Sequence, residues 1–211
     1  MYGRRDHQPA LLLVIFIALE LILTFAHPLG WVSFGPVYAA TLHHLPVVLA
    51  GVLLGPWAGA LVGLIAGVSR VIDLAFLNVD ALFTPMYSPF YLMPDSGYFQ
   101  VVRGSGPWSS PFLSLLTSLL PPIAAGVLAA LLVRVLRQLL RGNAASLSIA
   151  GAGGTLAEAA LLLLLVAVNR GESRDLMLKA FRFNGPFEVL LAALVCGGLG
   201  TLLYRRFIAN D

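Results

Sequence analysis

FGPVYAATLHHLPVVLAGVLLGPWAGALVGLIAGVSR, residues 34–70, holds two apolar runs joined by little more than Gly55 and Pro56. The first run carries His43, His44 and Pro46 near its start. The second carries Gly55, Gly59, Gly63 and Gly67, a glycine at every fourth position. Residues four apart share a helix face, and small residues on one face let helix backbones approach closely in lipid. The stretch reads as a tight helical hairpin, polar at its open end, in an integral membrane protein with a site at one surface.

The rest of the chain fits that reading. Of 211 residues, 59% are hydrophobic and 11% charged, with a mean hydropathy of +0.89. A soluble domain carries about 25% charged residues, so one membrane domain spanning most of the chain is expected. The net charge of +3 is small. Its basic residues cluster beside apolar runs, which suits orientation in a bilayer rather than nucleic-acid binding. The one cysteine, Cys196, lies in an apolar run. It has no partner for an internal disulfide and no zinc ligands beside it, so it reads as packing.

A helix that crosses a bilayer needs about 20 mostly apolar residues. Six such spans are expected, at about 9–27, 36–54, 56–74, 111–133, 145–168 and 186–204. Arg4 and Arg5 before the first span, and Ala26 after it, have the layout of a secretory signal. Glu20 interrupts that core and the cleavage site is poor, so a retained span is expected. With the N-terminus inside, the inner side holds Arg4, Arg5, Arg134, Arg137, Arg141, Arg205 and Arg206, and the outer side Arg103, Arg170, Arg174, Lys179 and Arg182. That bias places both termini in the cytoplasm. The expected fold is an all-α bundle of six transmembrane helices with long outer loops, in one domain covering 1–211.

The outer segment from about 75 to 110 is rich in proline and aromatic residues, among them Tyr87 and Phe90. A loop of this length usually works as a lid or binding loop. The second outer loop, about 169–185, is charged and has room for a short helix. Function is therefore expected at the outer face.

Ionisable groups inside spans are costly and are weighed one by one. Glu20 and Glu158 sit within spans, either as proton or ligand sites or bonded to a neighbouring helix. Arg70 and Asp73, three apart at the outer end of the third span, share a face. They form a local ion pair, or Arg70 offers its planar fork to a ligand carboxylate. Thr41, His43 and His44 open the second span. Adjacent histidines point to different sides of a helix, so a shared metal is not expected, and no His/Cys motif supports zinc. One histidine lines a polar cavity or caps the helix. Asn184 and Glu188 open the sixth span in N-G-P-F-E, with Pro186 suited to a first turn and Glu188 near the positive helix end. They either present donor and acceptor groups to a ligand or cap the helix. Arg134, Arg137 and Arg141 form a basic stripe at the inner end of the fourth span, for lipid headgroups or a partner. Pro121 and Pro122 should kink that span.

There is no P-loop, GxSxG or HExxH motif and no nucleophile–base pair. An enzyme is not expected, nor is a cofactor.

The stretch from Gly35 to Gly67 resembles the second and third helices of the substrate-binding S components of energy-coupling-factor (ECF) vitamin transporters. Those commonly show a G-P-x-x-A-x-T-like lead into H-x-P-V and an L-G-P-x-x-G hairpin. Tyr87-Ser-Pro-Phe90 resembles an S-P-F element of their outer loop, and Asn184-Gly-Pro-Phe-Glu188 the polar start of their sixth helix. The resemblance implies a six-helix bundle in a prokaryotic cell (inner) membrane that binds a vitamin at its outer end. It also implies partnership with a transmembrane scaffold subunit and two cytoplasmic ATPases, which fits the missing P-loop. Many S components carry an A-x-x-x-A pair on the first helix. Here Ala18 is followed four residues later by Ile22, whereas Ala125 and Ala129 on the fourth span have that spacing.

The pattern most resembles pantothenate-type members. On that basis Arg70 would meet the carboxylate of pantothenate, and Thr41, His44, Asn184 and Glu188 its hydroxyls and amide. Trp31, Tyr87 and Phe90 would cover its apolar carbons, and His43 belongs to the same candidate set. Riboflavin, folate and cobalamin are alternative ligands. A structural membrane protein of the cell-shape machinery, similar to MreD-like proteins, and a small membrane enzyme are the competing readings.

Overall fold

The structure, a computed structural model, describes residues 7–26, 29–33, 39–77, 90–92, 99–101, 111–140, 142–169 and 174–208. Among them are six α-helices: α1 (His7–Phe25), α2 (His44–Leu54), α3 (Pro56–Ile72), α4 (Pro111–Leu139), α5 (Asn143–Asn169) and α6 (Arg174–Phe207). A π-turn, Asp73–Leu77, continues α3. Two small antiparallel ladders lie between helices. β1 (Trp31–Ser33) pairs with β2 (Ala39–Thr41), with Trp31 opposite Thr41, and β3 (Phe90–Leu92) pairs with β4 (Phe99–Val101). The architecture is therefore helical, as expected.

α2 is the middle of the bundle. It packs against α1, α3, α4, α5 and α6, and Val47, Val48, Leu49, Ala50 and Val52 are buried. Gly55 then turns the chain at φ 101°, ψ 179°, a region open to glycine and strained for any other residue. Its N–H donates to the Gly51 carbonyl at 3.0 Å, and Pro56 opens α3, where its missing N–H costs nothing.

The glycine stripe is a contact surface. A Cβ on Gly59 would meet the Gly126 carbonyl oxygen at 2.6 Å, one on Gly63 the Pro122 oxygen at 2.5 Å, and one on Gly67 the Ser118 oxygen at 2.6 Å. Each contact is to α4 backbone, and the α4 number falls by four as the α3 number rises by four. The two helices therefore run antiparallel at close range. Gly55 is the exception to its expected role. Its Cβ would meet only an Arg134 nitrogen, at 3.8 Å, so it serves the turn and not the helix contact. Gly55→Ala should cost about 1–3 kcal/mol through backbone strain alone, read as a lower melting temperature of the purified protein.

Similar contacts orient the other helices. Gly154 on α5 meets Ala125 and Ala129 of α4, and Gly151 meets Ala192 and Cys196 of α6. Successive helices thus alternate in direction. The end where α1 finishes and α2 begins is called here the upper end. Ala125 and Ala129 are fully buried in this packing, so their spacing serves the bundle interior and offers no outer face to a partner. Cys196 is buried, as expected for a packing residue.

Two expected spans are corrected. Of the second, about 36–54, the described part is strand at 39–41, paired with β1, and helix only from His44. The resulting 11-residue helix is only roughly 16 Å long at 1.5 Å per residue. The sixth, about 186–204, begins twelve residues earlier, at Arg174, and continues through Pro186. Pro186 lies inside a helix rather than in its first turn, and Glu188 is remote from the helix N-terminus, so the dipole argument for it fails. Pro121 and Pro122 likewise lie within the single assigned helix α4.

Among the described residues, five helices are long and apolar enough to cross a membrane: Gln8–Phe25, Pro56–Leu77, Pro111–Leu139, Asn143–Leu165 and Asn184–Phe207. Their outward faces are apolar, with Val14 and Ile22 on α1, Leu164 on α5, and Leu194 and Leu202 on α6 all exposed.

Candidate functional site

Polar side chains from five helices gather toward the upper end. The link that ties them begins in β2. Pairing with β1 fixes the backbone of Thr41, and the Thr41 N–H points across to α6. It donates to Glu188 Oε1 at 2.7 Å, and the Thr41 hydroxyl donates to the same oxygen at 2.9 Å. Two donors on one carboxylate oxygen form a charge-assisted clasp between residues 147 positions apart.

The start of α2 lies beside this clasp. The His44 ring hydrogen-bonds the Glu188 backbone, is 4% exposed, and leaves Nε2 buried without a partner. Next to it His43 Nδ1 lies 3.7 Å from Glu20 Oε1 of α1, and the Thr24 hydroxyl donates to that same oxygen at 3.4 Å. Gly30 lets His43 in. A Cβ there would meet the imidazole at 2.7 Å, and the Gly30 carbonyl accepts from the Leu42 N–H at 2.9 Å.

Glu20 is 1% exposed. Its Oε2 is buried with no partner, and so is Oε2 of Glu158 on α5. Arg70, half-buried near the end of α3, is within electrostatic range of His44, Glu158 and Glu188. Glu158 in turn interacts with Glu188 and Glu20. The cluster therefore holds three carboxylates, two imidazoles and a guanidinium. Among the described residues, three of its buried side-chain atoms have no acceptor or donor. A buried polar group without a partner costs about 1–3 kcal/mol, so these three atoms are the costly ones of the cluster.

The structure brings Thr41, His43, His44, Arg70 and Glu188 to one place. Asn184 lies half-buried one turn from Glu188 on α6. Trp31 and Phe90 enter as backbone positions in β1 and β3, and Tyr87 lies outside the described residues. Two roles change. Thr41 and Glu188 satisfy each other through Oε1, so they build the site's wall before they meet any ligand. Glu20 and Glu158, which the sequence left without an assigned role, bring two of the three open atoms. Their only signal was position, a carboxylate deep inside an apolar span.

Among the described residues no group of three His, Cys, Asp or Glu side chains could hold a metal ion. No protein-family model matches the chain, and no curated protein matches it significantly.

Proposed function

We propose that this protein is a multi-pass membrane protein that captures a water-soluble vitamin at the upper end of its bundle. In this reading it is the substrate-binding subunit of an ECF-type importer. The observation that carries the proposal is the upper cluster: buried Glu20 and His44 and half-buried Glu158, each with a covered side-chain atom left open, beside Arg70 and walled by the Thr41–Glu188 clasp. Ionisable groups within apolar helices are costly to keep there, and solute pathways are one established use of them. The five long apolar helices support the membrane setting.

Pantothenate is the ligand we favour, from the resemblance at residues 34–70 and from its chemistry. It offers one carboxylate for Arg70, and two hydroxyls and an amide N–H for open acceptors such as those of Glu20 and Glu158. On this reading the upper end faces outward and the lower end the cytoplasm of a prokaryotic cell. A scaffold subunit and two ATPases supply the energy that this chain has no P-loop to supply.

Arg70→Ala tests the ligand assignment. Loss of a charged hydrogen bond of about 1.5–3 kcal/mol should weaken pantothenate binding by roughly 10- to 100-fold in equilibrium binding with labelled vitamin. Panthenol, in which an alcohol replaces the acid, should bind both proteins equally weakly. Unchanged pantothenate affinity in Arg70→Ala would exclude the carboxylate role.

A further inference from the structure

The lower end of the bundle carries a second unsatisfied group, remote from the upper cluster. Arg137 on α4 is half-buried, and its guanidinium stacks over the Tyr204 ring of α6, 4.4 Å from the centroid. Its Nε and Nη2 are both buried, and neither has a hydrogen-bond partner. These two nitrogens form the side-on edge of the guanidinium. Their N–H bonds run parallel and match the two oxygens of a carboxylate or phosphate. Arginine cannot shed its charge, so a covered fork without an acceptor is costly.

Nothing described in the chain supplies that acceptor. The carboxylates whose side chains are described, Glu20, Asp73, Glu158 and Glu188, all belong to the upper cluster or to the upper end of α3. The surroundings of Arg137 are basic instead. Exposed Arg134 precedes it by one turn, and Arg205 and Arg206 follow Tyr204 in the last turn of α6. The outer face of α4 leading to this point is apolar, with Leu128, Leu131, Leu132, Val135 and Leu139 exposed. Trp57, beside the Gly55–Pro56 turn at the same end, is 80% exposed. Basic helix ends, an exposed tryptophan and an apolar flank together mark the headgroup level of a bilayer.

We propose that this end of the bundle is a binding site for an anionic phospholipid. Arg137 grips the headgroup phosphate through Nε and Nη2, Tyr204 holds the guanidinium flat, and Arg134, Arg205 and Arg206 supply surrounding positive charge. The apolar face of α4 receives the acyl chains, which is why the occupant is a lipid and not a soluble anion. The proposal rests on the membrane reading and is independent of the upper-end ligand.

The test is thermal unfolding of the detergent-purified full chain with added dioleoylphosphatidylglycerol, dioleoylphosphatidylcholine or inorganic phosphate. Phosphatidylglycerol should raise the melting temperature saturably, by roughly 5 °C or more at a hundredfold excess over Kd. Phosphatidylcholine should do much less and inorganic phosphate nothing. Arg137→Lys keeps the charge but loses the fork, and should abolish most of the rise, whereas Arg134→Lys should keep it. An equal rise with inorganic phosphate would overturn the lipid assignment, and a full response in Arg137→Lys would overturn the fork. Should Arg137→Lys fail to fold, lipid extraction from the purified wild-type protein decides. Retained phosphatidylglycerol, enriched over its share of the membrane, supports the site, and retention in membrane proportion overturns it.

Discussion

Gly63→Ala will lower the melting temperature of the purified protein sharply, and Gly63→Leu will leave little folded protein. Even the single methyl of alanine would sit 2.5 Å from the Pro122 carbonyl oxygen and 2.8 Å from Ile123 Cα. Both are α4 backbone atoms, so no side-chain rotation relieves the overlap, and the helices must move apart. That separation also opens the matching contacts at Gly59 and Gly67. In a bilayer, close approach is itself much of what holds helices together. Overpacking typically costs about 1–3 kcal/mol, and the rigid contact puts Gly63→Ala near the upper figure, a fall on the order of 10 °C. Gly198 is the control. It lies on α6 with nothing within 4 Å of its Cβ position, so Gly198→Ala should match or slightly exceed the wild type. Equal melting temperatures for Gly63→Ala and Gly198→Ala would mean that α3 and α4 do not pack as described.

Glu188→Ala is expected to remove ligand binding and part of the fold together. The substitution strips the acceptor from both the Thr41 N–H and the Thr41 hydroxyl. The β1–β2 ladder then loses its tie to α6, and His43 and His44, which follow directly in the chain, lose their fixed position. Two bonds to a charged group are worth about 1.5–3 kcal/mol each. Stability should therefore fall by that order, read as a lower melting temperature in the absence of ligand, and pantothenate binding should be lost with the wall of the site. Glu188→Gln retains a carbonyl oxygen for both donors and should keep most of the stability. Thr41→Val removes only the hydroxyl and should sit between. In a double-mutant cycle, Thr41→Val and Glu188→Ala should couple, because each removes the same bond. Additive losses would show that the clasp does not form.

How far the sequence disclosed this depended on the range of the interaction. The hairpin at Gly55–Pro56 and the face made by Gly59, Gly63 and Gly67 were legible because spacing along one helix encodes them. Their partners on α4 were not, since Gly126, Pro122 and Ser118 have no pattern that points to α3. The start of α2 was misplaced because strands of three residues are too short to show alternation, and Val37, Tyr38, Ala39, Ala40 and Leu42 extend an apolar helical run equally well. Pro186 reads as a helix start. It lies inside α6 instead, a long helix that packs against α5. The members of the upper cluster could be named one at a time as costly groups in apolar spans. That Thr41 and Glu188 would bond each other, leaving Glu20 and Glu158 among the open groups, follows from tertiary packing alone.

Thermal unfolding of the detergent-purified protein against a panel of B vitamins, led by pantothenate, tests the central claim most directly. A saturable rise in melting temperature with one vitamin, absent in Glu188→Ala, is the result predicted by ligand capture at the upper end. Folded protein that shows no shift with any member of the panel would contradict it and leave the buried polar groups as helix contacts in a structural membrane protein.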